Sequence, residues 1–311
     1  MRDATGTMSP SRHRRLRYTA GTVPIAVIVL DFDPLLELTD GLVIRWQTLV
    51  LAAVIAAALL VAAQFAQRLD LRRDDLLYIV VGIVPGAFIG ARVGYALLHL
   101  DVFAADPGAL LDPGRGGLDL PAGVVGGALT GAYVAVLLET SIRAWAHVAA
   151  VPLLLALGAG KLTMILGGSG QGLPSQAAWA TAFLGPGPWG SLAPALPSHP
   201  AQAYEGIGTL LLLVVLLAAI WVGAFGRRDG RMLLVAIGGW ALVRAAASLS
   251  WRDPAIVGPF SAGGILAIAL AGGCLVLLIA TTIWGDGTAA APVDEATPEP
   301  AWPDPATRPP F

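Results

Sequence analysis

Charged residues are scarce in this sequence, and their scarcity excludes most classes of soluble protein. Only 13% of the 311 residues are charged, about half of the usual share, while 56% are hydrophobic. A soluble domain of this length needs charged side chains to cover its surface. The 19 basic residues are balanced by 21 acidic ones, which excludes the strongly basic surface of a nucleic-acid-binding protein. We therefore predict an integral membrane protein with no nucleic-acid partner.

Cysteine and lysine each occur once, as Cys274 and Lys161. A single cysteine excludes a disulfide framework and a cysteine-based metal site. Because Cys274 lies in an apolar run, we expect a packed or lipid-facing thiol. Lys161 also lies within an apolar segment, where an ionisable residue is a candidate for function.

Long apolar runs are abundant, and seven of them approach the roughly 20 residues that a membrane-spanning helix needs. They cover about 46–66, 76–98, 121–138, 144–166, 205–224, 232–249 and 261–284. We predict an all-α integral membrane protein with about seven transmembrane helices in a domain of residues 31–284. Residues 1–30 are predicted to be an N-terminal extension, and the Pro- and Ala-rich residues 285–311 a disordered cytoplasmic tail.

Arginines of the inter-span loops concentrate on one side of the predicted membrane. On that side lie Arg68, Arg72, Arg73, Arg227, Arg228 and Arg231. The longest loop of the other side, residues 167–204, contains no Lys or Arg. Since loops rich in Lys and Arg stay in the cytoplasm, the N-terminus is predicted to be outside and the C-terminus cytoplasmic.

Five ionisable residues lie near the outward ends of five different spans. They are Arg45, Arg92, Lys161, Glu205 and Arg244. A charge inside a span costs roughly 2.5–3.5 kcal/mol, so each normally faces a cavity or a partner. Four basic groups at head-group depth favour an anionic phosphate as ligand. For Arg45 and Arg244, extension of the side chain to the membrane surface, with Glu205 pairing one of them, is an equally good interpretation.

Glycines recur every four residues in the second and third spans. Gly86, Gly90 and Gly94 form one series, and Gly123, Gly127 and Gly131 form the other. Small residues at this spacing allow two helix backbones to approach closely in lipid. We expect this packing to place the second span deep inside a tight bundle.

Several short motifs resemble those of the bacterial prolipoprotein diacylglyceryl transferases. The run His199–Glu205 (HPAQAYE) is similar to the family's HPSQLYE, and Gly90–Tyr95 (GARVGY) is similar to its segment GGRLGY or GARLGY. Phe32–Pro34 and Ile44–Trp46 match the family's N-terminal pattern. Lys161 ends the run GAGK where the family has GAGR, and Arg244 stands where a late-span arginine is expected.

The resemblance implies an activity and a location. Members of the family move the diacylglyceryl group of phosphatidylglycerol to the lipobox cysteine thiol of a prolipoprotein, at the outer face of the bacterial cytoplasmic membrane. It implies membrane lipid and prolipoprotein signal segments as partners, and no metal or organic cofactor. The expected catalytic residues are Arg244, His199 and Glu205. The expected substrate-binding residues are Lys161, Arg92, Arg45, Tyr95, Gln202, Tyr204 and Gly172.

The sequence also departs from the family pattern at positions that carry hydrogen bonds or charge. Pro121 stands where the family has its candidate base, a histidine, and Gln47 and Trp240 stand in place of tyrosines. Ser248 replaces a glutamate, and the segment after Lys161 lacks the family's two asparagines and glutamate. Two alternatives therefore stay open. One is a catalytically lapsed paralogue that binds anionic lipid or lipoprotein signal segments, and the other is an anion transporter.

Overall fold

A computed structural model describes residues 27–39, 41–112 and 117–285, with side chains up to residue 283. Within that part of the chain, seven helices are long and apolar enough to cross a membrane, which confirms the predicted fold class. They are α1 Trp46–Arg68, α2 Arg73–Leu98, α4 Leu120–Leu137, α5 Ile142–Gly167, α6 Ala201–Trp221, α7 Arg231–Ser248 and α8 Ala262–Gly285. A short helix, α3 (Leu100–Ala105), and a 3₁₀ turn, Pro107–Leu111, connect α2 to α4.

Short strands lie outside the long helices. β1 (Ile28–Leu30) pairs in parallel with β4 (Thr181–Phe183), so the chain before α1 is attached to the loop between α5 and α6. Two antiparallel hairpins join β2 (Leu35–Thr39) to β3 (Leu42–Arg45) and β5 (Ala255–Val257) to β6 (Phe260–Ser261). β1 falls within the predicted N-terminal extension, of which residues 1–26 lie outside the described residues. The predicted tail lies outside them as well, apart from Gly285.

The largest difference from the predicted spans is at α6. The predicted span 205–224 is wrong by about four residues, because α6 begins at Ala201, directly after Pro200, and ends at Trp221. Pro200 has no backbone N–H to donate and therefore suits a position at a helix start. Gly223, with a φ of +84°, takes the left-handed conformation that commonly ends a helix. The polar HPAQAYE run thus contributes Gln202, Tyr204 and Glu205 to the first turns of α6.

Helices α2 and α4 pack closely through their glycines, as predicted. A Cβ atom built on Gly90 would lie 2.6 Å from the backbone oxygen of Ala122, which only glycine avoids. The expected position of α2 deep inside the bundle is wrong, however. Its other face carries exposed apolar side chains, including Leu77, Val81 and Ile89, so α2 lies at the edge of the bundle. Glycine spacing therefore indicates a close helix pair, and it gives no information on how many helices surround that pair.

Helices α5, α6 and α7 form the main core. Leu154, Leu213, Met232 and Trp240 are buried there together with several alanines. α5 ends, α6 begins and α7 ends at the same end of the bundle, where residues 168–200 connect α5 to α6. We call this the loop end. The opposite end, the arginine end, carries Arg68, Arg72, Arg73, Arg143, Arg227, Arg228 and Arg231 at helix termini and in loops.

Candidate functional site

Three helices of the main core each contribute one charged residue to a cluster near the loop end. Glu205 on α6 is only 1% exposed, and its two carboxylate oxygens are engaged by different cations. Oε2 lies 3.0 Å from Nζ of Lys161 on α5, and Oε1 accepts a hydrogen bond of 2.7 Å from Nη1 of Arg244 on α7. Because buried charges are stable only when paired, the carboxylate holds both cations at fixed positions.

Trp251, in the segment after α7, lies against both cations of the cluster. The guanidinium carbon of Arg244 is 4.5 Å from the Trp251 ring centroid, and Nζ of Lys161 is 5.8 Å from it. Trp240 lies 5.9 Å from the same guanidinium carbon, also at cation–π range. The two cations were predicted from the sequence, whereas Trp251 was not, since an aromatic residue near a helix end has many ordinary roles.

The charge cluster opens into a polar cavity of about 250 Å³. Its lining residues are Lys161, Gly170, Gln171, Gln202, Arg244, Trp251, Arg252 and Asp253. In the described part of the chain, Oε1 of Gln171, both amide ends of Gln202 and Nε of Arg244 are buried without a hydrogen-bond partner. Buried polar atoms are nearly always hydrogen-bonded in proteins, so this cavity suits a polar, anionic ligand. Gln202 was predicted to bind substrate, whereas Gln171 was not identified from the sequence.

Gly172 supports the wall of the polar cavity through its backbone. Its carbonyl oxygen accepts a hydrogen bond of 2.7 Å from Nε of Arg252, and its N–H donates to the His199 carbonyl. A side chain at this position would collide with the backbone oxygen of Ser250. Another guanidinium nitrogen of Arg252 donates to Oγ of Ser198 at 2.9 Å. Gly172 and Arg252 thus join the connection 168–200 to the segment that follows α7.

His199 and Tyr204 lie beside a second cavity, of about 610 Å³, which shares no lining residue with the polar cavity. Its walls are mostly apolar and include Gly208, Val243 and Ala247. We call it the histidine cavity. Helix geometry explains the separation, because residues four apart lie on one face of a helix. Tyr204 and Gly208 therefore share one face of α6, while Gln202 and Glu205 lie on another.

A chain of hydrogen bonds orients the His199 ring. Nε1 of Trp179 donates to the Tyr204 hydroxyl oxygen at 2.7 Å, and that oxygen lies 3.0 Å from Nδ1 of His199. A hydroxyl oxygen has two lone pairs, so the Tyr204 oxygen can accept a hydrogen bond from Nδ1–H of His199 as well as from Trp179. In that tautomer Nε2 carries no proton and is able to accept one. The imidazole is fixed by its neighbours and borders the histidine cavity.

The remaining predicted site residues are outside both cavity linings. Arg92 is buried on α2 and donates hydrogen bonds to the backbone oxygens of Ala109, Leu110, Asp112 and Gly117. Its guanidinium carbon also lies 5.3 Å from the Phe103 ring centroid.

Tyr95, one turn further along α2, stacks on His99 with ring centroids 4.1 Å apart. Arg45 is exposed at the start of α1. Of the five predicted intramembrane charges, the structure brings together Lys161, Glu205 and Arg244.

Comparison with known proteins identifies the family of the chain. The family model "Prolipoprotein diacylglyceryl transferase" matches residues 34–280, which include six of the seven long helices of the described chain and most of α8. A protein of Geobacter sulfurreducens named phosphatidylglycerol–prolipoprotein diacylglyceryl transferase is 28% identical, over 75% of this chain and 89% of its own length.

Two further relatives carry the same name. The protein of Beijerinckia indica is 28% identical over 75% of this chain and 86% of its own length. The protein of Gluconobacter oxydans is 29% identical over 62% of this chain and 71% of its own length. The match to the family model extends over most of the chain, from the hairpin before α1 into α8. The chain therefore belongs to the prolipoprotein diacylglyceryl transferase family.

Proposed function

We propose that this chain transfers the diacylglyceryl group of phosphatidylglycerol to the cysteine thiol of a prolipoprotein. The observation that carries the proposal is the pairing of Lys161 and Arg244 around one buried carboxylate at the edge of a polar cavity. Two fixed cations stabilise a phosphate and the additional charge that it develops as a leaving group. The relatives are named for the two substrates of this reaction, phosphatidylglycerol and a prolipoprotein.

The reaction breaks one bond and forms one. The cysteine sulfur attacks the glycerol carbon that bears the phosphate of the lipid, and the C–O bond to that phosphate breaks. Glycerol phosphate leaves with the electron pair, held by Lys161 and Arg244. The thiol must lose its proton, because the thiolate is the nucleophile. The products are the thioether-linked diacylglyceryl protein, glycerol phosphate and one proton.

His199 is our proposed acceptor of the thiol proton. It borders the histidine cavity, and the Tyr204 hydroxyl fixes its ring. A prolipoprotein signal segment is largely apolar, and the predominantly apolar wall of this cavity suits such a segment. Glu205 assists by holding both cations in place. Pro121, which stands where the family has a histidine, cannot accept a proton, so this chain requires a different base.

We also propose an orientation in the membrane. The connection 168–200 has no Lys or Arg, whereas arginines are concentrated at the arginine end. Basic loops remain in the cytoplasm, so the loop end faces outward. Both cavities then lie at the outer leaflet of a bacterial cytoplasmic membrane. The predicted substrate contacts of Arg45, Arg92, Tyr95 and Gly172 stay predictions, and the bonds of Arg92 to backbone carbonyls support a structural role for that residue.

Complementation tests the proposed function. We expect the chain to restore lipoprotein modification in a bacterial strain depleted of its own transferase, detected as a mass increase of a lipoprotein. Arg244→Ala should abolish that increase, and Gln67→Met, a change at an exposed position of α1, should not. If the correctly inserted chain produces no mass increase while phosphatidylglycerol co-purifies with it, the lapsed paralogue is the better interpretation.

A further inference from the structure

The polar cavity contains more hydrogen-bonding capacity than a phosphate can use. Gln171 and Gln202 line it, and both are at least nine-tenths buried. In the described part of the chain, Oε1 of Gln171 and both Oε1 and Nε2 of Gln202 have no hydrogen-bond partner. A buried polar group without a partner costs roughly 1–3 kcal/mol, so three such atoms in one cavity indicate a ligand that satisfies them.

The orientation of the Gln171 amide is fixed by its other contacts. Its Nε2 donates to the backbone oxygen of Thr181 at 3.1 Å and lies 3.4 Å from that of Pro194. Since both partners are acceptors, the amide nitrogen must face them and Oε1 must point away. An amide oxygen only accepts hydrogen bonds. The ligand must therefore donate a hydrogen bond to Gln171, and the phosphodiester of a lipid has no hydrogen to donate.

The excess of positive charge around the polar cavity restricts the hydrogen-bond donor of the ligand to a neutral group. Lys161, Arg244 and Arg252 line the cavity, against Asp253 and the already paired Glu205. An ammonium head group would meet this excess of positive charge, whereas a hydroxyl would not. A hydroxyl also both donates and accepts, which matches the two free amide ends of Gln202.

We propose that Gln171 and Gln202 recognise the hydroxyl groups of the glycerol head group and so select phosphatidylglycerol over other anionic lipids. This inference rests on the proposed function, because it assumes that the lipid phosphate binds at Lys161 and Arg244. It adds two specificity residues to that site. Gln202 is the better test position, because its side chain makes no hydrogen bond within the described residues, and replacement there leaves no protein group unpaired.

A competition between two lipids measures how much the head-group hydroxyls contribute to binding. Phosphatidylpropanol carries the same phosphodiester charge as phosphatidylglycerol and lacks the head-group hydroxyls. The full chain, purified in detergent, is mixed with equal amounts of both lipids, and the bound lipid is identified by native mass spectrometry. We expect about tenfold preference for phosphatidylglycerol, as two neutral hydrogen bonds provide. Gln202→Met should reduce the preference to near one without weakening phosphatidylpropanol binding. Gln67→Met, the same change at an exposed glutamine, should leave it intact.

The outcomes separate this inference from the proposed function. Equal binding of the two lipids by the wild-type chain, or an unchanged preference in Gln202→Met, overturns the inference and leaves the transferase proposal intact. In a separate mixture of phosphatidylglycerol and phosphatidylethanolamine, preferential binding of phosphatidylethanolamine would also overturn the inference. If no lipid binds, the phosphate site itself is wrong and both proposals fail. Gln171→Met should act like Gln202→Met in protein that retains its thermal unfolding midpoint.

Discussion

Two buried arginines, Arg92 and Arg244, occupy similar depths near the loop end of the protein but differ in what they bind. They are 6% and 8% exposed, and each lies within two turns of the end of its helix. Arg92 donates hydrogen bonds to the backbone oxygens of Ala109, Leu110, Asp112 and Gly117. Arg244 donates to one carboxylate, packs against Trp251 and borders the polar cavity. A buried arginine thus indicates a ligand site only when its surroundings leave room for the ligand.

The largest effect should come from removing the carboxylate that pairs with Arg244. Glu205→Ala leaves Lys161 and Arg244 buried without their counter-ion, and we expect the free energy of unfolding to fall by about 3–5 kcal/mol. Unfolding of the purified chain with a denaturing detergent measures this loss. Glu205→Gln, which keeps the shape and one hydrogen bond acceptor, should be less destabilised. An unchanged unfolding midpoint in Glu205→Ala would mean that the cluster is solvated rather than buried.

Replacement of Arg92 by alanine should mainly lower stability, whereas replacement of Arg244 by alanine should mainly lower the rate of transfer. Arg92→Ala leaves several carbonyl oxygens without donors and should lower the free energy of unfolding by about 3 kcal/mol, with less than about tenfold loss of transfer. Arg244→Ala should reduce the rate of transfer by at least about 100-fold. Unfolding midpoints and transfer rates of both variants provide the comparison. A hundredfold loss of transfer in a well-folded Arg92→Ala protein would place Arg92 at the substrate after all.

A smaller effect should follow from changing the cation that faces Arg244. Lys161→Arg restores the planar group that binds phosphate through two parallel hydrogen bonds, and we expect phosphatidylglycerol affinity to rise about fivefold. Lys161→Gln removes the charge and should weaken binding. Lipid binding by native mass spectrometry measures both. If the arginine variant binds more weakly, the space between Glu205 and Trp251 is shaped for an ammonium group and excludes the larger guanidinium.

The smallest effect should be at Arg45, the exposed arginine. Arg45→Ala should change the free energy of unfolding by less than about 0.5 kcal/mol and leave transfer within about twofold of the wild-type rate, as for most surface substitutions. The same unfolding and transfer measurements apply. A larger loss of transfer at unchanged stability would support the predicted contact between Arg45 and the lipid head group.

Sequence patterns predicted those parts of the structure that depend on composition along the chain. Apolar runs predicted the seven spans, and glycine spacing predicted the close contact between α2 and α4. The start of α6 was misplaced because Gln202 and Tyr204 lower the hydropathy of a segment that is nevertheless helical. Hydropathy measures preference for lipid, and it does not distinguish a polar helical turn in a protein cavity from a loop.

The candidate site depends on contacts between distant segments, and these were harder to predict. Charge placement identified Lys161, Glu205 and Arg244, because an unpaired charge in a span is too costly to be tolerated. The same logic included Arg92, since the backbone oxygens that satisfy it lie in a connection with no sequence signal. Gln171 and Trp251 were missed because neither residue type is unusual near a membrane surface. Gln202 and Tyr204 are only two positions apart on α6, yet they border different cavities, which only the rotation of the helix reveals.

The single lysine of the sequence has a practical consequence for chemical labelling. Lys161 carries the only side-chain primary amine in the 311 residues, and its side chain is 16% exposed, beside the polar cavity. An amine-selective reagent therefore modifies no other side chain of this protein. A bound head group would shield that amine, so the extent of labelling would report occupancy of the cavity in intact membranes, without a mutation or a purified protein.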